Sequence, residues 1–476
     1  MEVSAGCTRS GGADTEALRE GRRFATAIVG GGCSGLLAAV QLFRNGFRER
    51  VTVIEPRERL GAGLAYSTSF DQHLLNVPAG QMSALADQPA HFLEWLRARS
   101  WPNASAASFA PRKIYGEYLE DLLQETIRPI ARGQFSHIRA EAIGAAADGN
   151  GAHLALSDGT TVYAQRVVLA LGNPASCAAP GLSMHGLEDC WRLSPWLGDA
   201  LRVRFPGERI LLLGTGLTAV DSLLALQSQD TACEVFLLSR RGQLPEVHDL
   251  GVRAQAPPVL TNRGNLRLLF RELRAHIEAA GQANRCWRSI IDGLRPISND
   301  VWRELQVADR LRFLRHLKTY WEPHRHRMAP EIRARLDEYQ ANGTARIIAG
   351  RLQEASSRGG KTQVRILLKL GGERVLEVDR IISCTGLHED YTASPRPLIH
   401  SLVENGLAHA NDVGIGFHTD GHGALLDAKT NPSSVFFTLG PPRRGELFET
   451  TAVPEIRCQA EALVRYLVLG ETESLR

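Results

Sequence analysis

Phe24-Ala-Thr-Ala-Ile-Val-Gly-Gly-Gly-Cys-Ser-Gly35 is a short apolar run that ends in Gly30-x-Gly32-x-x-Gly35. The spacing predicts a buried strand, a glycine turn and a helix, which the apolar stretch from Leu36 to Phe43 continues. Gly30 permits the tight turn, Gly32 lets a pyrophosphate approach the backbone, and Gly35 lets the helix pack closely on the strand. The unpaired N–H groups at the helix start, around Cys33 and Ser34, are a natural seat for that pyrophosphate. The next strand, Val51-Thr-Val-Ile-Glu55, ends in an acid that can accept hydrogen bonds from a ribose diol. An acid there suits the unphosphorylated ribose of FAD or NAD and disfavours NADP.

A second copy of the pattern begins at Arg209. Arg209-Ile-Leu-Leu-Leu runs into Gly214-x-Gly216-x-x-Ala219, with Leu217 and Thr218 opening the next apolar helix. Its second strand, Glu234-Val-Phe-Leu-Leu-Ser-Arg-Arg241, ends in Ser239-Arg240-Arg241 instead of an acid. Arginine at this place can hold a 2′-phosphate through paired, charge-assisted hydrogen bonds, which favours NADPH over NADH. The alternative is that Arg240 and Arg241 only solvate a strand end. Two such motifs with opposite ribose signals imply two different dinucleotides, FAD at the first and NADPH at the second.

Two further strands read alike: Arg166-Val-Val-Leu-Ala-Leu-Gly172 and Asp379-Arg-Ile-Ile-Ser-Cys-Thr-Gly386. Each follows an alternating stretch typical of a β-hairpin, residues 151–162 and 362–378. Val435 to Gly440 is another apolar run ending in glycine, and a helix is expected over Thr451 to Leu469, capped by Thr450 or Thr451. The N-terminus of that helix is suited to face a flavin ring.

The expected fold is α/β: two Rossmann-like dinucleotide-binding domains, the FAD domain discontinuous and the NADP domain inserted into it, with a helical insert. The expected boundaries are a disordered leader over 1–23 and a first FAD-binding part over 24–200. A nucleotide domain over 201–386, with its insert at 262–342, and a C-terminal FAD-binding part over 387–476 follow.

Composition narrows the partners. The 476-residue chain has 55 basic and 52 acidic residues, a net charge of +3, so no strong field for nucleic acid or anionic lipid is implied. Residues 1–23 lack the apolar stretch of a secretory signal, and no apolar run reaches the roughly 18 residues that span a bilayer. A cytoplasmic protein with no membrane or nucleic-acid partner is expected. The eight cysteines include no Cys-x-x-Cys and no zinc spacing, so a dithiol relay is not expected.

Taken together, these residues resemble the FAD/NAD(P)-binding flavoproteins. The resemblance is carried by Leu213-Gly-Thr-Gly-Leu-Thr-x-x-Asp221, Gly63-Leu-Ala-Tyr-Ser-Thr68, His73-Leu-Leu-Asn-Val-Pro78 and Met82-Ser83. Trp321-x-x-His-Arg-His-Arg327 and Glu449-Thr-Thr-Ala-Val-Pro-Glu-Ile-Arg457 complete it. More widely, the chain is similar to the flavin-dependent N-hydroxylating monooxygenases, among them aspartate N-monooxygenases. These share the two-dinucleotide layout, a Met-containing loop near the flavin and a strand matched by Asp379 to Gly386. Gly35 and Ala219 depart from the Asn often found at the first motif of those enzymes. The Baeyer–Villiger fingerprint is absent.

The resemblance implies FAD and NADPH as cofactors and a small-molecule substrate with O2. The implied reaction is oxygen transfer from a flavin C4a-hydroperoxide to the nitrogen of an amino acid or small amine, with aspartate a candidate. A plain NAD(P)H:acceptor oxidoreductase and a non-catalytic dinucleotide sensor remain the alternatives. The cofactor-binding set is Gly30, Gly32, Cys33, Ser34, Gly35, Glu55, Asn76, Met82, Gly214, Gly216, Leu217, Thr218, Arg240, Arg241, Thr385, Gly386, Gly440 and Thr451. Within the Arg-, His- and Trp-rich insert, Arg288, Arg325 and Arg327 are substrate-carboxylate candidates. Their alternative role is on solvated helix faces. His324-x-His326 lacks further ligands in register, so no metal is expected, and no catalytic acid–base pair stands out.

Overall fold

The computed structural model describes residues 23–174, 186–252, 254–358, 361–385, 390–392 and 394–470. The leader up to residue 22 and Gly386 lie outside them. Strands β1 (Arg23–Val29), β2 (Val51–Ile54), β3 (Phe135–Ile138), β4 (Ala142–Ala147), β5 (Ala152–Leu156) and β6 (Thr161–Leu169) belong to a first sheet. A second sheet holds β7 (Trp191–Arg192), β8 (Glu208–Leu213), β9 (Cys233–Ser239), β10 (Ala345–Arg358), β11 (Lys361–Leu368), β12 (Glu373–Val378) and β13 (Arg380–Ser383). The chain then returns to the first sheet with β14 (Ala424–Leu426) and β15 (Pro432–Thr438).

The helices in chain order are α1 (Cys33–Arg44), α2 (His91–Arg99), α3 (Arg112–Ile127), α4 (Leu217–Gln227), α5 (Leu266–Gln282) and α6 (Trp287–Leu294). They continue with α7 (Ser298–Glu304), α8 (Val307–Arg312), α9 (Lys318–Arg325), α10 (Pro330–Ala341), α11 (Pro397–Glu404) and α12 (Val453–Leu469). No described helix is long and apolar enough to cross a membrane.

Both sheets repeat one arrangement. β1 lies parallel between β2 and β6, and β8 lies parallel between β9 and β13. A strand covered on both faces carries apolar side chains continuously, which is why Ala27–Val29 and Ile210–Leu213 show no alternation. Helices α1, α3 and α12 cover one face of the first sheet with a core of Leu36, Leu37, Val40, Tyr115, Leu119 and Leu463. Helices α4 and α10 do the same for the second sheet through Val220, Leu224, Ile332 and Leu336. The fold is therefore α/β, two Rossmann-like units plus a helical insert. The second sheet already begins at Trp191, which pairs with Ile381.

The insert, α5 to α9, leaves the second unit after β9 and packs on the segment that leads into α12. Helix α12 starts at Val453, with Ala452 as its N-cap and no side-chain cap. Neither Thr450 nor Thr451 caps it, contrary to the expectation from sequence. The Thr450 hydroxyl instead donates to the Gly440 carbonyl at 2.8 Å, and Thr451 is exposed.

Candidate functional site

The first glycine turn is closed by its neighbours. Gly30 has φ +102°, and a Cβ there would sit 2.3 Å from the Ala170 carbonyl just past β6. At Gly35 a Cβ would sit 1.9 Å from the Gly30 carbonyl, so helix α1 touches the turn backbone to backbone. Gly32 is the N-cap of α1, with no side-chain cap and no acid in the first turn, so the N–H groups around Cys33 and Ser34 stay available to an anion. Gly440, at φ +74°, would place a Cβ 2.7 Å from Ser34 Oγ, which brings the end of β15 onto the same helix start. The Gly440 N–H donates to Gln459 of α12 at 2.8 Å.

Glu55 is buried, and its carboxylate accepts from the Gly31 N–H at 2.9 Å and the Arg57 N–H at 3.1 Å. It thus links the glycine turn to the end of β2, where a ribose of a dinucleotide lies. Burial pushes the Cys33 thiol up to about 12, so this cysteine is not a thiolate at neutral pH.

The second turn repeats the first with more room. Gly214, at φ +119°, would place a Cβ 2.4 Å from the Cys384 carbonyl just past β13, as Gly30 does against Ala170. Gly216 caps α4, again with no side-chain cap and no acid in the first turn, and a Cβ there would meet nothing within 4 Å. Ala219 stands where Gly35 does and is fully buried. The place of Glu55 is taken by Ser239, whose Oγ accepts from the Gly242 N–H at 3.0 Å and lies 2.9 Å from the Thr215 hydroxyl. Arg240 is exposed and has no hydrogen-bond partner among the described residues. Arg241 donates to Thr319 Oγ1 at 3.0 Å and lies over the Tyr320 ring, 4.3 Å from its centre. The arginine pair is therefore divided, with Arg240 free and Arg241 fastened to α9. Thr385 is exposed at the end of β13, its hydroxyl 3.2 Å from that of Ser383.

Contacts between the two units involve Arg112, Asp221, His73 and His248, to which the sequence assigned no role, and the backbone of Asn76. Arg112 pairs with Asp221 at 2.8 Å, and His73 Nε2 lies 2.9 Å from the Asp221 carbonyl. The Asp221 carboxyl is raised by burial, which outweighs the nearby Arg112 and His73 charges. His248 Nε2 lies 2.9 Å from the carbonyl of Asn76, so the predicted flavin loop is held by the second unit through its backbone. Met82, in the same loop, is 3% exposed and packs in the first unit's apolar core.

The three substrate candidates in the insert already have carboxylate partners. Arg325 makes a two-point pair with Glu449 at 2.7 and 3.2 Å, Arg327 pairs with Asp292, and Arg288 lies 3.3 Å from Glu246. Arg327 is 3% exposed. Their charges are met by carboxylates of the chain itself. Arg325 instead fastens the insert to the segment beside Gly440, with help from Arg295–Glu455 at 2.5 Å and Arg303–Glu446 at 2.8 Å. Burial alone would raise Glu449, but Arg325, His326 and Arg295 outweigh it and hold the carboxyl below the usual range. The Asn299 side chain donates to the Glu449 carbonyl and accepts from its N–H, at 3.1 and 2.9 Å.

Residues 27–174 match the FAD-NAD(P)-binding family. A tryptophan 2-monooxygenase from Pantoea agglomerans pv. gypsophilae is 44% identical over 64 residues, spanning 13% of this chain and 11% of that protein. The chain thus matches only a small part of that curated relative. Among solved structures, the cadaverine monooxygenase of the desferrioxamine pathway from Erwinia amylovora superposes with a TM-score of 0.64 at 13% identity, over 94% of this chain and 95% of that one. The ornithine N-hydroxylase of Kutzneria sp. 744 gives 0.60 at 15% identity, over 94% and 99%. A bacillithiol disulfide reductase from Staphylococcus aureus gives 0.54 at 11%, over 95% and 100%. At these identities the likeness is one of fold, shared by enzymes of different chemistry.

Proposed function

We propose that this chain is an FAD- and NADPH-dependent monooxygenase that hydroxylates the nitrogen of an amino acid or small amine. The observation that carries the reading is the pair of glycine cradles that differ at the ribose end, Glu55 in one and Ser239-Arg240 in the other. In this reading the N–H groups of Cys33 and Ser34, with Gly32 and Gly440, hold the FAD pyrophosphate, and Glu55 holds its ribose. Gly214, Gly216, Leu217 and Thr218 hold the nicotinamide dinucleotide, and Arg240 takes the 2′-phosphate. Bound FAD supplies the hydride acceptor and the oxygen chemistry. The protein's part is to align the two dinucleotides across the Arg112–Asp221 junction and to exclude water. The insert, fastened through Arg325–Glu449, covers the Gly440–Thr450 side of that junction.

Cys33 and Cys384, the cysteines at the two glycine turns, are both pushed up to about 12 by burial and are poorly suited to thiol exchange there. Substrate-coupled NADPH oxidation by the purified yellow protein tests the proposal. Aspartate comes first, because the sequence resemblance implies it, followed by the ornithine, lysine and cadaverine named for the structural neighbours. A hydroxylamine product in proportion to NADPH supports it. A colourless protein, or peroxide formed one-to-one with NADPH whatever the amine, rejects it.

A further inference from the structure

Helices α5, α6, α7 and α9, with the π-helical turn Phe313–Leu317, surround a cavity of about 370 Å³. Its wall includes Leu269, Leu273, Ile291, Trp302, Trp321 and Phe448. Protein interiors leave few voids larger than a water molecule, and a dry apolar void of about 150 Å³ is already enough to take up benzene. The volume here is that of a small-molecule site. One face of α5, through Leu266, Leu269, Leu273 and Ile277, forms a whole side of it, and of these only Leu266 is buried. Phe270 and Tyr320, 41% and 47% exposed, mark the mouth.

The polar groups around this cavity define the ligand's charge. The Trp321 indole N–H is buried and has no hydrogen-bond partner among the described residues, and an indole can only donate. Arg274, at the exposed mouth, has no partner among the described residues. Ser298 donates to the Leu294 carbonyl at 2.9 Å, Trp302 Nε1 donates to the Gly445 carbonyl at 3.0 Å, and His324 Nδ1 lies 2.7 Å from the Tyr320 carbonyl, while the Trp287 indole N–H and the exposed Tyr320 hydroxyl make no hydrogen bond among the described residues. No lining residue is Asp or Glu. An ammonium group would find no counter-charge here, whereas an apolar molecule with acceptor oxygens meets unused donors, Trp321 Nε1 and Arg274 among them.

We propose that the cavity is a binding site for an apolar-bodied monocarboxylate, an acyl or aryl acid, lined by none of the residues assigned above to the two dinucleotides. The body lies against the aromatic and aliphatic wall, and the carboxylate supplies the acceptors that Trp321 Nε1 and Arg274 lack. Phe448 makes the ligand a neighbour of Glu449, so occupancy is felt at the Arg325–Glu449 fastening.

The test uses the flavin-loaded full chain and reads binding, not turnover, so its outcome is independent of the proposed reaction. The fluorescent anion 8-anilinonaphthalene-1-sulfonate is titrated, then competed with decanoate, 2-naphthoate and decylamine. Saturable one-to-one binding, displaced by either acid at least tenfold better than by decylamine, is expected; the better competitor distinguishes an acyl from an aryl ligand. Arg274→Ala, a surface change, and Trp321→Phe should each weaken acid competition about fivefold or more. Leu273→Trp, which fills the cavity, should abolish binding while flavin content stays the same. Non-saturating dye binding, equal competition by decylamine, or acid binding unchanged in Arg274→Ala and Trp321→Phe overturns the proposal.

Discussion

Arg112 and Asp221 face each other at 2.8 Å across the junction of the two sheet units, one in the first turn of α3 and the other in α4, which the second glycine turn opens. The pair is mostly buried, its side chains 19% and 8% exposed. Removing one partner of such a pair strands the other charge, at a cost of about 3 kcal/mol. Asp221→Ala is therefore expected to lower the thermal midpoint by several degrees. The double substitution Arg112→Met with Asp221→Leu should recover most of the loss. Differential scanning calorimetry on the three proteins checks this, and equal loss in the single and double variants would contradict it.

The glycine cradles should respond differently to one added methyl group. Gly35→Ala forces a Cβ to 1.9 Å from the Gly30 carbonyl and should yield protein that purifies with little flavin. Gly216→Ala meets nothing within 4 Å, so its flavin content and unfolding midpoint should match the parent protein. Its NADPH affinity should still fall about tenfold, roughly 1.4 kcal/mol, because the methyl occupies the approach a pyrophosphate needs. Absorbance ratios and a nicotinamide titration separate the two effects.

Arg240 and Arg241 should not be equivalent. Arg240→Ala is expected to raise the KM for NADPH by about tenfold and to change that for NADH by less than about twofold, as loss of one charge-assisted contact to a 2′-phosphate predicts. Arg241→Ala also releases Thr319 and Tyr320 of the insert, so it should lower the unfolding midpoint as well. Steady-state kinetics with both nicotinamides decides; equal losses for NADPH and NADH in Arg240→Ala would remove the 2′-phosphate assignment.

His248 gives the junction a dependence on acidity. Burial lowers this imidazole from 6.5 to about 4 in the folded chain, despite its bond to the Asn76 carbonyl. The unfolded chain binds the proton first, so this stabilisation is complete above pH 6.5 and is lost as pH falls toward 4. With a discount for partial exposure its size is about 1–2 kcal/mol. In His248→Gln, which keeps a donor for Asn76, the slope of unfolding free energy between pH 6.5 and 4 should be shallower than in the parent. An identical slope in denaturant titrations across that range would refute the role.

What was legible from sequence is what a dozen consecutive residues dictate. The strand–glycine–helix units at Gly30 and Gly214 follow from local sterics, and the likeness of 166–172 to 379–386 follows from the equivalent places of β6 and β13. Pairings set by the tertiary fold were not legible. Arg325 and Glu449 are 124 residues apart, and nothing in either motif names the other. An arginine-rich stretch reads as a receptor for anions until the fold supplies Asp292, Glu449 and Glu246 as its anions. Asp221 and His73 stood in quoted motifs, but spacing alone does not reveal an ion pair. The burial of Met82 in the apolar core was not legible either, because a long apolar residue in a loop packs wherever water is excluded.

The first sheet is completed from opposite ends of the chain: β15 lies against β6, and the whole second unit and its insert are made in between. During synthesis β5 can cover Thr161–Ala164 of β6 at once, but Val167–Leu169 wait unpaired on that side while some 260 further residues leave the ribosome, a long-range closure that slows folding and invites mispairing. A chain terminated before Pro432 would keep its first glycine motif but never close that edge. Such products should accumulate as aggregates, not as smaller folded proteins.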